Sequence, residues 1–133
     1  MKRCLLLIPR MGNGGAERVM ATIANNLCEE NDVQIVTMTD AESFYALDER
    51  VKITGLGQKM SRKNKITKIC TAAFGGLKSF FKLKKIVKKE KINVLVAFLG
   101  PASFLAILLK FFCKNCRVIV SERCDPNQRG KLY

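Results

Sequence analysis

Three glycines, Gly12, Gly14 and Gly15, sit between an apolar run at 4–8 (CLLLI) and an amphipathic stretch that begins at Ala16. Backbone amides in such a turn, with the first amides of a following helix, can cradle a phosphate or diphosphate, and the missing side chains allow close approach. The spacing GNGGAE starts like a dinucleotide fingerprint but puts Glu17 where that fingerprint needs glycine, and the GK(S/T) of a P-loop is missing. A plain NAD site is therefore disfavoured, and a tight strand-to-helix turn would use the same glycines for geometry alone. The second chemistry-bearing pattern is Cys113-x-x-Cys116, with Cys124 close behind. Zinc takes four such ligands, commonly as two pairs, and the fourth would have to be the distant Cys70. The chain has no histidine, which excludes imidazole bases, Ser-His triads and His-containing metal motifs. The run at 4–8 is far shorter than a signal-peptide core, so the six cysteines read as buried or idle cytosolic thiols. The expectation is no metal and no cofactor.

The charge is as informative as the glycines. Lys+Arg number 24 and Asp+Glu 11, a formal net charge of +13. Residues 1–58 hold six basic and eight acidic side chains, whereas 59–91 hold twelve basic ones against the single acid Glu90. The excess is one segment. It also carries apolar residues at helical spacing: Ile66, Ile69, Cys70, Ala73, Phe74, Leu77, Phe80 and Phe81, slipping onto Leu83, Ile86 and Val87. Gly75-Gly76 could divide it into two helices. Lys78, Lys82, Lys85 and Lys89 recur along one face. A basic amphipathic helix suits an anionic membrane surface or head group; the plainer reading is a core-packed crossover helix with a solvated Lys-rich face. No nucleic-acid partner is expected, since no helix-turn-helix, zinc-finger or RNA-recognition signature is present and two Tyr with no Trp offer little to stack bases on.

The elements that must position these residues follow an α/β alternation. The 133 residues are enough for one domain with a real core. Residues 3–9 (RCLLLIP) read as a strand buried on both faces, and 16–31 as a helix, with Ala16, Val19, Met20, Ile23, Ala24, Leu27 and Cys28 on one stripe. Residues 33–38 read as a second strand and 51–56 as a shorter third. The basic segment then crosses over to a strand at 92–98, a helix at 102–112 and a last strand at 117–120. Strand, glycine loop, helix and strand within about 38 residues form a right-handed βαβ unit, with the first strand expected mid-sheet between 33–38 and 92–98. Residues 92–112 carry only Lys110 as a charge and meet the length criterion for a membrane span. Gly100-Pro101 near the middle argues for a strand leading into a buried helix instead.

Three stretches together resemble family 4 glycosyltransferases. IPRMGNGGAERVMATIANNL is similar to the family's first strand, G-G-A-E-R turn and helix. SFYALDERVKITGLG resembles the stretch leading through its third strand. RVIVSERCDPN resembles its V-I-V-S-E-R-N-D-P segment, with Cys124 in place of the usual Asn. The resemblance covers nearly the whole chain in family order. It implies a Rossmann-like parallel sheet with helices on both faces, forming the incomplete N-terminal, acceptor-side half of a GT-B enzyme, with residues 1–133 as that domain and the donor-binding domain absent. It further implies a retaining, metal-independent transfer from a nucleotide-sugar to a lipid-linked or polysaccharide acceptor. Gly12, Gly14, Gly15 and Ser121 would approach the diphosphate or substrate, Glu122 and Arg123 are the catalytic candidates, and the four lysines would meet a membrane or anionic acceptor. The nucleotide-sugar would be engaged only with the missing domain, so the chain alone is expected to be inactive. The expected location is cytoplasmic, peripheral on the inner face of the plasma membrane. The alternative is a non-catalytic Rossmann-like module that binds a membrane surface or partner.

Overall fold

The computed structural model describes residues 1–58 and 65–122, and over 65–73 the backbone alone. The elements run β1 (Arg3–Ile8), α1 (Gly15–Leu27), β2 (Asp32–Thr37), β3 (Lys52–Gly55), α2 (Lys65–Lys89), β4 (Val94–Phe98), α3 (Gly100–Phe112) and β5 (Arg117–Ser121). All four pairings are parallel, in the order β3-β2-β1-β4-β5. β1 lies in the middle, as its unbroken apolar run requires: Leu5, Leu6, Leu7 and Ile8 are fully buried.

Alternation along β1 divides the core. Leu5 and Leu7 pack with Phe80, Leu83 and Val87 of α2 and with Ala102, Leu105 and Leu109 of α3. Cys4, Leu6 and Ile8 pack with Met20, Ala21 and Ala24 of α1. Helices therefore cover both faces of one sheet. The register is held at the amino edge by two asparagines. Asn93 accepts from the Arg3 amide at 2.9 Å, and Asn31 accepts from the Lys2 amide at 3.2 Å while donating to the Leu27 carbonyl at the end of α1.

Two expectations about helices are corrected. Gly75-Gly76 does not divide the basic segment; α2 is continuous. Two interior glycines cost a helix about 2 kcal/mol, and burial of Phe80, Leu83 and Val87 at i, i+3 and i+7 outweighs that. The Gln58 side chain also lies where a Gly75 Cβ would sit, 3.1 Å away. The apolar stripe is narrower than its spacing suggested. Phe74 is 77% exposed, and Leu77 and Phe81 are also on the surface, because α2, at about 37 Å, is far longer than the five-residue strand beside it. The side chains of Ile66, Ile69, Cys70 and Ala73 lie outside the description.

Residues 92–112 are a strand and a helix, not a span. Leu99 separates them with φ 72° and ψ 154°, and Pro101 occupies the first turn of α3, where its missing N–H is harmless. No described helix is long and apolar enough to cross a membrane.

Candidate functional site

In an open parallel sheet, ligands gather outside the carboxyl ends of the strands, where neighbouring connections depart in opposite directions. Here that point lies between β1 and β4. The chain leaves β1 towards β2 on one side, and α2 brings it back to β4 on the other. Two segments flank the crevice: the glycine loop after β1 and residues 99–101 after β4.

The glycine loop is tied from behind. The Phe44 amide donates to the Met11 carbonyl at 2.9 Å, and the Tyr45 hydroxyl lies 3.0 Å from the Asn13 carbonyl and 3.2 Å from that of Gly14. The stretch beginning SFYALDE thus positions the loop, a role that local sequence did not reveal. None of Gly12, Gly14 and Gly15 has a positive φ; among described glycines only Gly57 does. The expectation that turn geometry demands these glycines is therefore corrected. A Cβ on Gly14 would meet the Glu17 carboxylate and one on Gly12 the Arg10 guanidinium, both the far ends of flexible side chains, whereas Gly15 faces open space.

Gly14 is the N-cap of α1, with no side-chain cap of its own. The Glu17 carboxylate folds back over it, so a negative charge already sits at the positive end of the helix. An anion bound there would have to displace or repel that carboxylate. The dinucleotide position taken by glutamate is thus occupied by a group that opposes phosphate.

Across the crevice, Leu99 adopts a backbone conformation that is almost exclusive to glycine, at a cost of about 1–3 kcal/mol. Its amide donates to the Ser121 carbonyl at 3.2 Å and its carbonyl accepts from the Ser103 amide at 2.9 Å, which locks the end of β4 to the end of β5. Nothing in the local sequence marked Leu99. Ser121 is half-buried here, and Glu122 is exposed with an oxygen 3.9 Å from where a Gly100 Cβ would be. The Glu122 carboxylate therefore lies near the start of α3, where its charge complements the helix dipole. Arg123 and Cys124 lie outside the described residues. Further along the edge, a Cβ on Gly55 would fall 2.7 Å from the backbone of Thr39 and Asp40, so that glycine lets the loop after β2 close onto β3.

The lysines belong to a different surface. Lys78, Lys82, Lys85 and Lys89 are all exposed on α2. The Lys82 ammonium donates to the Leu56 carbonyl at 2.9 Å, just past β3, and the structure thus engages one of the four. Ion pairs join Arg3 to Asp32, Lys52 to Asp32 and Arg50 to Asp48. Asp48 and Arg50, a bidentate pair at 2.9 Å, lie in the segment leading into β3. Their hydrogen bonds hold the carboxyl well below its ordinary range and the guanidinium above its own.

The four described cysteines form no reactive centre. Cys4, Cys28 and Cys116 are buried, Cys113 is half-buried, and all four are free. Desolvation raises the thiols of Cys4 and Cys116, which disfavours the nucleophilic thiolate. No group of three or more metal-ligating side chains occurs among the described residues.

Between α2 and α3 runs a groove of about 550 Å³ whose walls are almost wholly apolar, formed chiefly by Leu77, Phe80, Phe104, Leu105, Leu108 and Phe112. Phe104, Ile107, Phe111 and Phe112 of α3 are exposed beside it. This apolar surface next to a basic helix was not anticipated, because the spacing of 102–112 suggested a buried helix.

No family model matches the chain. It is 35% identical over all 133 residues to a GalNAc-alpha-(1->4)-GalNAc-alpha-(1->3)-diNAcBac-PP-undecaprenol alpha-1,4-N-acetyl-D-galactosaminyltransferase of Campylobacter jejuni subsp. jejuni serotype O:2, covering 36% of that protein. It is 28% identical over 127 residues to an N-acetylgalactosamine-N,N'-diacetylbacillosaminyl-diphospho-undecaprenol 4-alpha-N-acetylgalactosaminyltransferase of the same organism, covering 33% of it. The resemblance read from three short stretches thus extends along the whole chain. The chain is similar along nearly its whole length to two bacterial transferases, and it spans about a third of the length of each.

Proposed function

We propose that these 133 residues form the acceptor-side half of a GT-B glycosyltransferase, which moves a sugar from a nucleotide-sugar to a lipid-linked, diphosphate-bearing acceptor at a membrane surface. The observation that carries this reading is the similarity along the full chain to two transferases whose names each specify a diphosphate-linked undecaprenol acceptor. In the transfer, the acceptor hydroxyl forms the new bond to the anomeric carbon. The bond from that carbon to the nucleotide diphosphate breaks, and the departing diphosphate takes up the hydroxyl proton. Retention of configuration and independence of metal belong to the same proposal.

Gly12, Gly14, Gly15 and Ser121 are assigned to the crevice where the acceptor's reacting end is held, with Glu122 and Arg123 as the candidates closest to chemistry. Lys78, Lys82, Lys85 and Lys89 are assigned to the anionic membrane or acceptor head group, which makes the protein peripheral on the inner face of the membrane. The donor is assigned to a part of the enzyme outside these residues. Calorimetry on the 133-residue polypeptide tests this division. Undecaprenyl-diphosphate-linked sugar in neutral-lipid nanodiscs should bind, and nucleotide-sugar should not. Donor binding without acceptor binding would overturn the assignment.

Glu17 supplies a second check. Replacing its charge while keeping its shape (Glu17→Gln) should tighten inorganic diphosphate at the glycine loop by about two- to five-fold, the effect of one charge at a helix end. The amide shifts of Gly14, Gly15 and Ala16 report it. Unchanged affinity would remove the loop as a phosphate site.

The alternative of a non-catalytic membrane-surface module draws on one observation, the exposed apolar side chains beside the lysines. It forecasts membrane binding with no preference for a diphosphate-linked sugar.

A further inference from the structure

We propose that the groove between α2 and α3 receives the hydrocarbon chain of a polyprenyl diphosphate acceptor, with its diphosphate at the carboxyl edge of the sheet; this rests on the acceptor-side reading above. The groove begins at that edge. Met38 and Gln58, which follow β2 and β3, and Pro101, which follows β4, form its upper end. From there it follows α3 to Phe112, about 16 Å along the helix. The Lys84 ammonium, 4.8 Å from the Phe112 ring centre, closes the lower end.

The walls decide the chemistry of the occupant. Among the described lining residues, Gln58 is the only one whose side chain carries an amide or charge, so along this stretch a ligand with polar groups would lose hydrogen bonds to water and regain few. A hydrocarbon chain loses nothing and covers apolar surface left open at Leu77, 56% exposed, and Phe104, 64% exposed. Cations lie near both ends of the channel, Lys84 at Phe112 and Lys82 on the Leu56 carbonyl at the carboxyl edge, and α2 contains no acidic residue. The diphosphate is placed at the carboxyl edge because the acceptor's reacting end is assigned there. Bulk phospholipid carries two chains for one phosphate, a ratio that a single groove beside one diphosphate site does not match.

Farnesyl diphosphate is a water-soluble probe for this site, and calorimetry on the 133-residue polypeptide without vesicles or sugar donor reads it. It should bind at least ten-fold more tightly than inorganic diphosphate. The double variant Leu77→Glu/Phe104→Glu should lose that advantage, and Phe104→Leu should keep it within two-fold. Phe81→Glu, on an exposed side chain outside the groove, should bind like the parent, and dihexanoyl phosphatidylglycerol should not displace the probe. Equal binding of farnesyl and inorganic diphosphate would overturn the proposal, as would a folded double variant that binds like the parent. Loss of the advantage in Phe81→Glu would assign the effect to a general apolar face, and displacement by the phosphatidylglycerol would assign the groove to bulk lipid; either result refutes a polyprenyl site. Because no donor is present, these results fail separately from sugar transfer.

Discussion

Changing Lys78, Lys82, Lys85 and Lys89 together to glutamine should weaken binding to phosphatidylglycerol vesicles by about a thousand-fold at low salt. Each cation near an acidic bilayer contributes about 1 kcal/mol, and the four lie at i, i+4, i+7 and i+11 along a continuous α2. The exposed Phe74, Leu77 and Phe81 would remain in the variant, so residual binding reports their apolar share. Some stability should also go, because Lys82 loses its bond to Leu56, a contribution of about 0.5–1.5 kcal/mol. Lys89, in the last turn of α2, loses a favourable dipole contact of similar or smaller size. The parent's binding should fall as salt rises, since exposed charges are screened over about 8–10 Å. Sedimentation that finds parent and variant equal would reduce the lysine row to a solvated face.

Much of the fold was legible because burial on two faces leaves a strong trace. A strand flanked by helices cannot alternate, and RCLLLIP and VLVAF do not; placing 4–9 between 33–38 and 92–98 followed from that together with the handedness of βαβ connections. Strand ends were legible only to within a residue or two, as in β3 and β4. The helix readings failed where tertiary context decides. Gly75-Gly76 looks like a break because local propensity knows nothing of Gln58 or of the core beneath Phe80. The outer face of α3 is apolar without being buried, so hydropathy could not separate a core helix from one with an open flank.

The site was less legible than the fold. The glycine loop is visible in the sequence, but its backbone conformation is not: none of its three glycines adopts a positive φ, and the Glu17 carboxylate lies over Gly14. Leu99, Tyr45 and Gln58 escaped notice because each acts through a partner far away in the chain. The α2–α3 groove joins residues from four separate segments, which no single stretch could announce.

The second large effect concerns turnover. Transfer requires the acceptor oxygen within about 3–3.5 Å of the anomeric carbon and fixed positive groups at the departing diphosphate. The carboxyl edge described here offers one wall of such a site, and its nearest helix N-terminus is already faced by Glu17. The 133-residue polypeptide alone should therefore show no transfer above a heat-killed control, even with an acceptor bound. Activity should appear when a donor-side wall is supplied.

A chimera measures this directly. The 133 residues replace the matched third of the 35% identical Campylobacter relative, and the product is incubated with nucleotide-activated N-acetylgalactosamine and undecaprenyl-diphosphate-linked acceptor. Mass spectrometry of the lipid extract is the readout. An acceptor-side half should give acceptor heavier by one sugar residue with the chimera and unchanged acceptor with the polypeptide alone. A folded chimera that binds the nucleotide-sugar yet leaves the acceptor unaltered, or transfer by the isolated 133 residues, would contradict it.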